Sequence, residues 1–297
     1  MNSSGAYSMQ GSAGAALKPE VLRARKRRRE TRAYLLRLGI GILFLSPLAI
    51  GLLFSFVPNE YLSSLPTFKS VFNNLTLDNY RWVFKNIPVL TYAKNSFIMS
   101  VIVIVMQILL ASFAAYAFSF FEFKGRDFFF RMVLTAMMIP GTVVVITNFL
   151  FIQELGLLNT YLGLTMKYFV GGTAIFMMRQ FFKTIPLELK DAAEMDGCGE
   201  MRFLFTVAMP LAVPMYAALT LFLFIDMYNA YLWPLLVAQR QEMQTVQIGM
   251  AMIVDAEFMH YGYILAGAIV SIIVPLVVFL IGQDYLVRGM MAGAVKG

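Results

Sequence analysis

The chain has 297 residues, of which 59% are hydrophobic and only 14% are charged, with a formal net charge of +7. Soluble domains carry about a quarter charged residues, so this composition excludes an ordinary soluble protein and predicts an integral membrane protein. The single cysteine excludes an internal disulfide, and with the single histidine it leaves too few ligands for a Cys/His metal cluster. We therefore expect no metal site.

Residues 1–33 form a basic N-terminal segment ahead of the first apolar run. Residues 1–16 are rich in Gly, Ser and Ala and are predicted to be mostly disordered. The dense basic run Arg23–Arg32 could bind nucleic acid, but next to a spanning helix such a run is typical of a cytoplasmic anchor attracted to anionic lipid. We expect membrane lipid as its partner and no nucleic acid.

Six apolar runs follow, each long enough to cross a bilayer as a helix. They predict spans at residues 34–57, 95–121, 128–152, 161–182, 211–237 and 264–283. The polar loop 58–94 is predicted to contain a helix at Leu75–Phe84. Pro140 and Gly141 should bend the third span, and Gly171 and Gly172 should allow close helix packing in the fourth. The fold class is therefore all-α, with a six-helix domain at residues 34–290 and a short tail at residues 291–297.

The distribution of basic residues predicts the orientation. If the N-terminus lies in the cytoplasm, eighteen of the 24 lysines and arginines fall in or beside cytoplasmic segments. The positive-inside rule then places both termini in the cytoplasm. It also places there the polar segment of residues 186–210, PLELKDAAEMDGCGEMRFLFTVAMP, which we call the elbow.

The elbow is predicted to be two helices joined at a glycine break. Pro186 suits the first turn of a helix, and Gly197 favours a break in it. Leu189, Ala192 and Ala193 have the spacing of one small apolar face. Small residues permit the close approach of another protein, and the neighbouring acidic residues can pair with basic groups on it. The alternative is a solvated loop with an incidental helix.

Three common nucleotide-binding and catalytic motifs are missing from the chain. There is no G-x-x-x-x-G-K-[ST] sequence for binding nucleotide phosphates, no H-E-x-x-H and no G-x-S-x-G. We therefore expect that the chain is not an enzyme. If its work needs ATP, another chain must hydrolyse it.

The elbow and the segments after it resemble a known family. The sequence D-A-A-E-M-D-G is similar to the E-A-A-x-x-x-G signature of ABC-importer permease subunits. The resemblance continues in Tyr228–Leu235, in Thr245–Gly249 and in Gln283–Gly289, and it covers much of residues 95–297. The flanking sequences and the ending Gly293–Gly297 resemble the sugar type, in particular the maltose-type second permease. Asp191 stands where the family usually has Glu, and Met227 stands where an aromatic residue is expected.

The resemblance implies a type I importer fold in a bacterial inner membrane and a multi-subunit assembly. The elbow would be the coupling helix that docks on an ATPase subunit, through Asp191, Ala192, Ala193, Glu194, Asp196 and Gly197. The tail residues Gly293, Ala294, Val295, Lys296 and Gly297 would reach the ATPase dimer interface. The other partners would be a second permease and an extracytoplasmic binding protein. No cofactor is expected on this chain, since ATP and magnesium would bind the ATPase.

Polar residues inside the predicted spans are the candidates for the transport pore, because burying them against lipid is costly. These candidates are Asp226, Tyr228, Asn229, Asn148 and Gln107, with Asn95 as a further one. The predicted substrate is a di- or oligosaccharide; glycerol phosphate or an acidic oligosaccharide is the alternative within the same family. An ion-coupled carrier would need more buried ionisable residues than Asp226, and a membrane anchor would not need the Pro and Gly bends.

Overall fold

The computed structural model describes residues 19–62, 68–254 and 260–294, and all regular structure in these ranges is helical. The chain divides into two compact units, residues 1–51 and residues 52–297. The prediction of disorder for residues 1–16 and the tail residues Val295, Lys296 and Gly297 lie outside the described residues. Helices are numbered α1–α16 in chain order.

Helix α1 (Pro19–Phe54) joins the basic run to the first apolar run. Its 36 residues correspond to a length of about 54 Å at 1.5 Å per residue. Its apolar part, Arg27–Phe54, is long enough to cross a membrane. The described basic residues are therefore helical and continue the axis of the predicted first span, since Arg, Leu and Ala are all good helix formers.

The polar region after α1 forms short helices. These are α2 (Asn59–Leu62), α3 (Phe68–Asn73) and α4 (Asp78–Asn86). The helix predicted at Leu75–Phe84 thus exists but starts at Asp78. The buried Asn79 donates hydrogen bonds to the carbonyls of Ser55 and Val57, at 2.9 and 2.8 Å, and so fixes α4 against the end of the preceding segment.

Helix α5 (Val89–Phe120) is the central helix of the second unit. It packs along α9 (Gly172–Phe182) and α13 (Val213–Tyr228), and its buried side is rich in Ser and Ala. The Ser112 hydroxyl lies 2.7 Å from that of Tyr216 on α13. Small residues let helix backbones approach closely, which is how apolar helices associate without a hydrophobic driving force.

The third and fourth predicted spans are each broken. The third consists of α6 (Arg126–Met137) and α7 (Val145–Glu154), separated at Pro140. A proline has no amide hydrogen and disfavours the helical conformation of the residue before it, so the helix ends here instead of bending. The fourth consists of α8 (Tyr161–Thr165), a 3₁₀ turn at Met166–Tyr168, and α9.

Gly171 and Gly172 lie where helices approach closely, as predicted. A Cβ atom at Gly171 would collide with the buried amide of Gln107, and one at Gly172 would collide with Met137. A larger residue at either position would force the neighbouring side chain to shift, so the two glycines let α9 lie close to α5 and α6.

The C-terminal part contains the elbow and the last spans. It comprises α10 (Leu187–Met195), α11 (Glu200–Phe203), a π-helical turn (Leu204–Ala208), α12 (Met209–Leu211), α13, α14 (Leu232–Val237), α15 (Val246–Val254) and α16 (Tyr261–Ala294). The chain bends by 74° where Glu200–Leu211 meets α13. Within the described ranges, three helices are long and apolar enough to span a membrane, or four if this bent pair is one span.

Candidate functional site

The elbow forms a helix that ends where the sequence predicted. Helix α10 begins after Pro186, and Gly197 follows it with a positive φ of 75°. The amide of Gly197 donates to the carbonyl of Glu194 and that of Cys198 to the carbonyl of Ala193, both at 2.9 Å. This pair of bonds is the Schellman ending of a helix, in which a left-handed residue lets the chain reverse and satisfy the last carbonyls.

The predicted small apolar face is divided between two sides of α10. Ala193 is partly buried and packs, with Cys198, against the core of the second unit. Ala192 is exposed, and Leu189 is 45% exposed. The three residues of the predicted face therefore differ in exposure: Ala193 attaches the helix to its own chain, and Ala192 is free to meet another surface.

The exposed side of α10 combines acidic and apolar groups. Asp191, Glu194, Asp196 and Gly197 are exposed. Leu187 is 60% exposed and Met195 is 89% exposed. Large apolar side chains beside carboxylates on a solvent-facing helix are typical of a surface that another protein covers.

Lys190 attaches α10 to its own chain, a role that the sequence did not reveal. Its ammonium lies 2.9 Å from the Glu200 carboxylate and 3.3 Å from that of Glu194. The other Glu200 oxygen accepts a hydrogen bond from the Tyr116 hydroxyl on α5. We call these four residues the brace. Burial lowers the pKa of Lys190, but the two carboxylates outweigh this and hold the pKa above its ordinary value.

A buried cation lies at the end of α9, just before the elbow. Arg179 is only 6% exposed, and its guanidinium donates to the carbonyl of Phe118 at 3.3 Å and stacks 3.8 Å over the Phe130 ring. Its other side lies 3.7 Å from the Asp127 carboxylate. Arg179 thus joins the ends of α9, α5 and α6. The only signal in the sequence was a charge near the end of an apolar run.

Two of the polar residues in the predicted spans are buried and hydrogen-bonded to distant segments of the chain. Asn95 is buried, donates to the carbonyls of Glu242 and Gln244, and accepts from the Tyr161 hydroxyl at 2.7 Å. Gln107 is buried and donates to the carbonyl of Tyr168 at 2.7 Å. Both amides hold distant segments of the chain together.

The other four candidates, three of which lie near the end of α13, differ in exposure. The Tyr228 hydroxyl is buried and has no hydrogen-bond partner in the part of the chain that the structure describes. The exposed Asn229 donates to the carbonyl of Ile225 at 2.8 Å and accepts from the Gln247 amide at 2.9 Å. Asp226 is exposed, whereas Asn148, on α7, is half-buried.

Asp226 and Asn229 line a cavity of about 530 Å³ between α13, α14 and the two broken spans. Gly141 and Thr142 line it from the break in the third span, and Lys167 and Tyr168 from the break in the fourth. The Lys167 ammonium lies 4.3 Å from the centre of the Trp233 ring and 4.7 Å from that of Tyr168. Pockets of this size with aromatic walls and a few polar groups are typical of small-molecule sites.

The predicted ATPase-interface tail is described only in part. Helix α16 continues to Ala294, so the backbone of Gly293 and Ala294 extends the last span without a break, and Pro275 lies inside this helix. Of the candidate sites, the elbow and the cavity are therefore the two whose side chains the structure describes.

Comparison with known proteins shows that one protein family matches this chain. The model of the family described as "binding-protein-dependent transport system inner membrane component" matches residues 107–292. The chain is 33% identical over 267 residues to the arabinooligosaccharides transport system permease protein AraQ of Halalkalibacterium halodurans, covering 88% of this chain and 96% of that protein. It is 38% identical over 199 residues to the sn-glycerol-3-phosphate transport system permease protein UgpE of Brucella melitensis, covering 66% and 71%.

A solved structure shares the fold. A chain from a bacterial ABC transporter involved in the import of the acidic polysaccharide alginate matches with a TM-score of 0.74 and 24% identity, over 88% of this chain and 98% of that one. A further structure of an alginate transporter, in complex with its periplasmic protein, matches with a TM-score of 0.61 and 19% identity. The helical architecture described above is therefore that of these transporter subunits.

Proposed function

This chain belongs to the family of binding-protein-dependent transport system inner membrane components, and we propose that it forms one half of the translocation pore of an ATP-driven sugar importer. A second permease would complete the pore, two ATPase subunits would bind ATP and magnesium beneath it, and an extracytoplasmic binding protein would deliver the sugar. The family match and the permease relatives support the transport role, and the fold match supports the architecture.

The proposed topology has six spans with both termini in the cytoplasm of a bacterial inner membrane. Helices α1, α5, α13 and α16 supply four of the crossings. The broken pairs α6/α7 and α8/α9 would supply one each, which is acceptable where non-helical backbone lies inside the protein. The excess of basic residues on one side supports this orientation.

The elbow is proposed to dock on the ATPase, and the geometry of α10 is the observation that carries this proposal. Its outer side presents Asp191, Ala192 and Met195, while Lys190 and Ala193 fix its inner side to the chain. A helix that is exposed on one side and braced on the other can transmit a push without bending. Movement of the ATPases would then swing the spans between inward- and outward-facing states as rigid bodies.

Crosslinking of paired cysteine variants tests this docking. Cys198 is first replaced by alanine, which leaves the chain without a cysteine. Ala192→Cys, on the outer side, is expected to be captured by the ATPase with a short bifunctional maleimide in assembled membranes. Ala193→Cys, one residue away on the inner side, is the matched control and is expected to give several-fold less product.

The docking proposal fails if Ala192→Cys is never captured while the variant importer still transports sugar. It also fails if both variants are captured equally, because capture by the ATPase would then not depend on which side of α10 carries the cysteine. Labelling of both variants in detergent, with and without the ATPase, measures how reactive each cysteine is by itself. The ATPase should protect position 192 and leave position 193 unchanged.

The substrate is proposed to pass the cavity at the end of α13. Asp226 and Asn229 line it, Tyr228 lies between them in sequence, and α7, the helix that carries Asn148, borders the cavity through Val145. Gln107 is proposed to keep Tyr168 in place at the cavity wall. The relatives carry names for arabinooligosaccharides and for sn-glycerol-3-phosphate, so both a neutral and an anionic substrate fit the family.

Dependence on ATP separates the importer from an ion-coupled carrier. In proteoliposomes that contain the whole importer, sugar uptake is expected to require ATP on the ATPase side and to persist when the proton and sodium gradients are dissipated. Deletion of residues 186–199 should abolish this uptake. Uptake that follows an ion gradient without ATP would contradict the proposed function.

A further inference from the structure

Among the described residues, the lining of the cavity at the end of α13 carries one positive and one negative group and no other charge. Of the residues that line it, only Lys167 and Asp226 are ionisable as acid or base at neutral pH. In the described part of the chain, neither side chain forms an ion pair with another residue. This cavity therefore offers a strong donor and a strong acceptor with no net charge.

The position of Lys167 is fixed by aromatic rings instead of by a carboxylate. Its ammonium lies over the rings of both Trp233 and Tyr168, and Trp233 is itself buried, with its indole N–H donating to the carbonyl of Leu164 at 3.1 Å. An ammonium over the face of a ring is stabilised by the ring electrons but keeps its three N–H donors. Lys167 can therefore direct hydrogen bonds into the cavity.

Anionic and neutral ligands need different groups in a binding site, and this difference distinguishes the two substrate classes. A phosphate or a uronate needs uncompensated positive charge, usually from Arg or Lys pairs, and is repelled by a nearby carboxylate. A neutral saccharide needs both donors and acceptors for its hydroxyl groups, and an apolar or aromatic wall for its ring faces. This cavity has an ammonium, a carboxylate and the Asn229 amide, with Tyr231 exposed at the wall.

We infer that the substrate of this permease is an uncharged saccharide, and that Lys167 and Asp226 bind its hydroxyl groups from two walls of the cavity. Lys167 donates to sugar oxygens and Asp226 accepts from sugar hydroxyls. This inference rests on the proposed function and selects, from the alternatives open within the family, the neutral substrate over glycerol phosphate and acidic oligosaccharides.

The test measures uptake of labelled probes by the complete importer in proteoliposomes. The probes are arabinotriose with a panel of other neutral di- and trisaccharides, sn-glycerol 3-phosphate and an alginate trisaccharide. We expect uptake of a neutral probe, and less than about a tenth of that rate for either anion. Lys167→Gln and Asp226→Asn are each expected to lower neutral uptake about tenfold, the effect of about 1.4 kcal/mol.

Whether Asp226→Asn lowers or raises the uptake rate decides between a neutral and an anionic substrate. Removal of a carboxylate that accepts from a neutral sugar lowers uptake, whereas removal of a carboxylate that repels an anion raises it. Lys167→Arg keeps the charge and the stacking on Trp233 and should restore most of the uptake lost in Lys167→Gln. Lys94→Gln, at an exposed lysine on α5 away from the cavity, should leave uptake unchanged.

Preferred uptake of an anionic probe, or its increase in Asp226→Asn, overturns the inference while the proposed function stands. Unchanged neutral uptake in both single variants overturns it as well. If no probe is taken up and the binding protein does not stimulate ATP hydrolysis, the proposed function itself fails, and this inference fails with it. Gel filtration of each variant with its partner subunits confirms that a low rate does not come from a missing assembly.

Discussion

Gly197 is the residue at which a single Cβ atom should disturb the elbow. Its φ of 75° is in the left-handed region, where a side chain costs about 1–2 kcal/mol. We expect Gly197→Ala to weaken the end of α10 and to lower the ATP-driven transport rate several-fold. Gly199→Ala is the control, because Gly199 has an extended backbone with a φ of −73° and open space around its Cα. Equal loss in both variants would show that the left-handed turn has no special role.

Lys190 should couple ATP hydrolysis to transport without touching substrate or nucleotide. Lys190→Met removes the ammonium between Glu194 and Glu200 and leaves Glu200 held only by Tyr116. We expect the number of sugars moved per ATP to fall about tenfold, while the KM for ATP stays unchanged. Lys183→Met, at an exposed lysine at the end of α9, three residues before the elbow, is the control. A loss of assembly with the ATPase, instead of a loss of coupling, would assign Lys190 to docking.

The brace should be insensitive to pH in the neutral range. The pKa of Lys190 is raised in the folded protein, so its stabilising contribution is complete below the ordinary pKa of lysine and is lost only as the pH rises through the elevated value. Transport per ATP measured between pH 6 and 9 should therefore change equally in the wild type and in Lys190→Met. A coupling ratio that falls only in the wild type within that range would contradict this.

At the scale of helices, the contact of α5 with α9 depends on glycine. Gly171→Ala would push a Cβ atom into the Gln107 amide and break its bond to the carbonyl of Tyr168, and overpacking of this kind costs about 1–3 kcal/mol. We expect a lower thermal midpoint for the purified importer complex. Gly141→Ala, at a glycine with nothing within 4 Å of an added Cβ, should leave the midpoint unchanged. Equal midpoints for both variants would show that Gln107 can move aside freely.

The elements also show which features of the chain could be predicted from its sequence. Helices α1, α5 and α16 follow from uninterrupted apolar runs, and the end of α10 follows from a glycine after a helical pattern. The third and fourth predicted spans are interrupted at residues 138–144 and 169–171, where the sequence predicted only a bend and a close helix contact. The sequence does not show whether neighbouring segments can form hydrogen bonds with the backbone groups that a break leaves unpaired. Helix α15 was not predicted at all, although its first residues lie in the Thr245–Gly249 motif.

The site was harder to predict than the fold because its residues meet across long stretches of sequence. Lys167 lies over Trp233, 66 positions later, and neither residue had been assigned to the pore. Lys190 reaches Glu200 across the glycine turn, so the bond depends on the path of the loop. Asn95 and Gln107 are pore candidates because they are polar, and their hydrogen bonds to distant carbonyls are visible only in the structure. Polarity within a span indicates a buried interaction and does not identify which one.

At the scale of the whole molecule, orientation in the membrane can be tested directly with introduced cysteines, because the single native cysteine, Cys198, can first be replaced. The proposed topology places the elbow in the cytoplasm and the segment around Gln241 outside. A membrane-impermeant maleimide is expected to label Ala192→Cys, made in the Cys198→Ala background, only in inside-out vesicles. In the same background, Gln241→Cys, on an exposed turn, should be labelled only in right-side-out vesicles.

This pair of variants tests more than the position of the elbow. Between residues 192 and 241 the chain contains the bent pair Glu200–Leu211 and α13, followed by the short helix α14. Labelling of the two cysteines from opposite sides means that an odd number of crossings lies between them, as the six-span topology requires. Labelling of both from one side would make the bent pair a re-entrant loop, which would leave α10 and the cavity on the same side of the membrane. A push on the elbow could not then open the cavity to the other side, so the proposed rigid-body movement of the spans depends on this result.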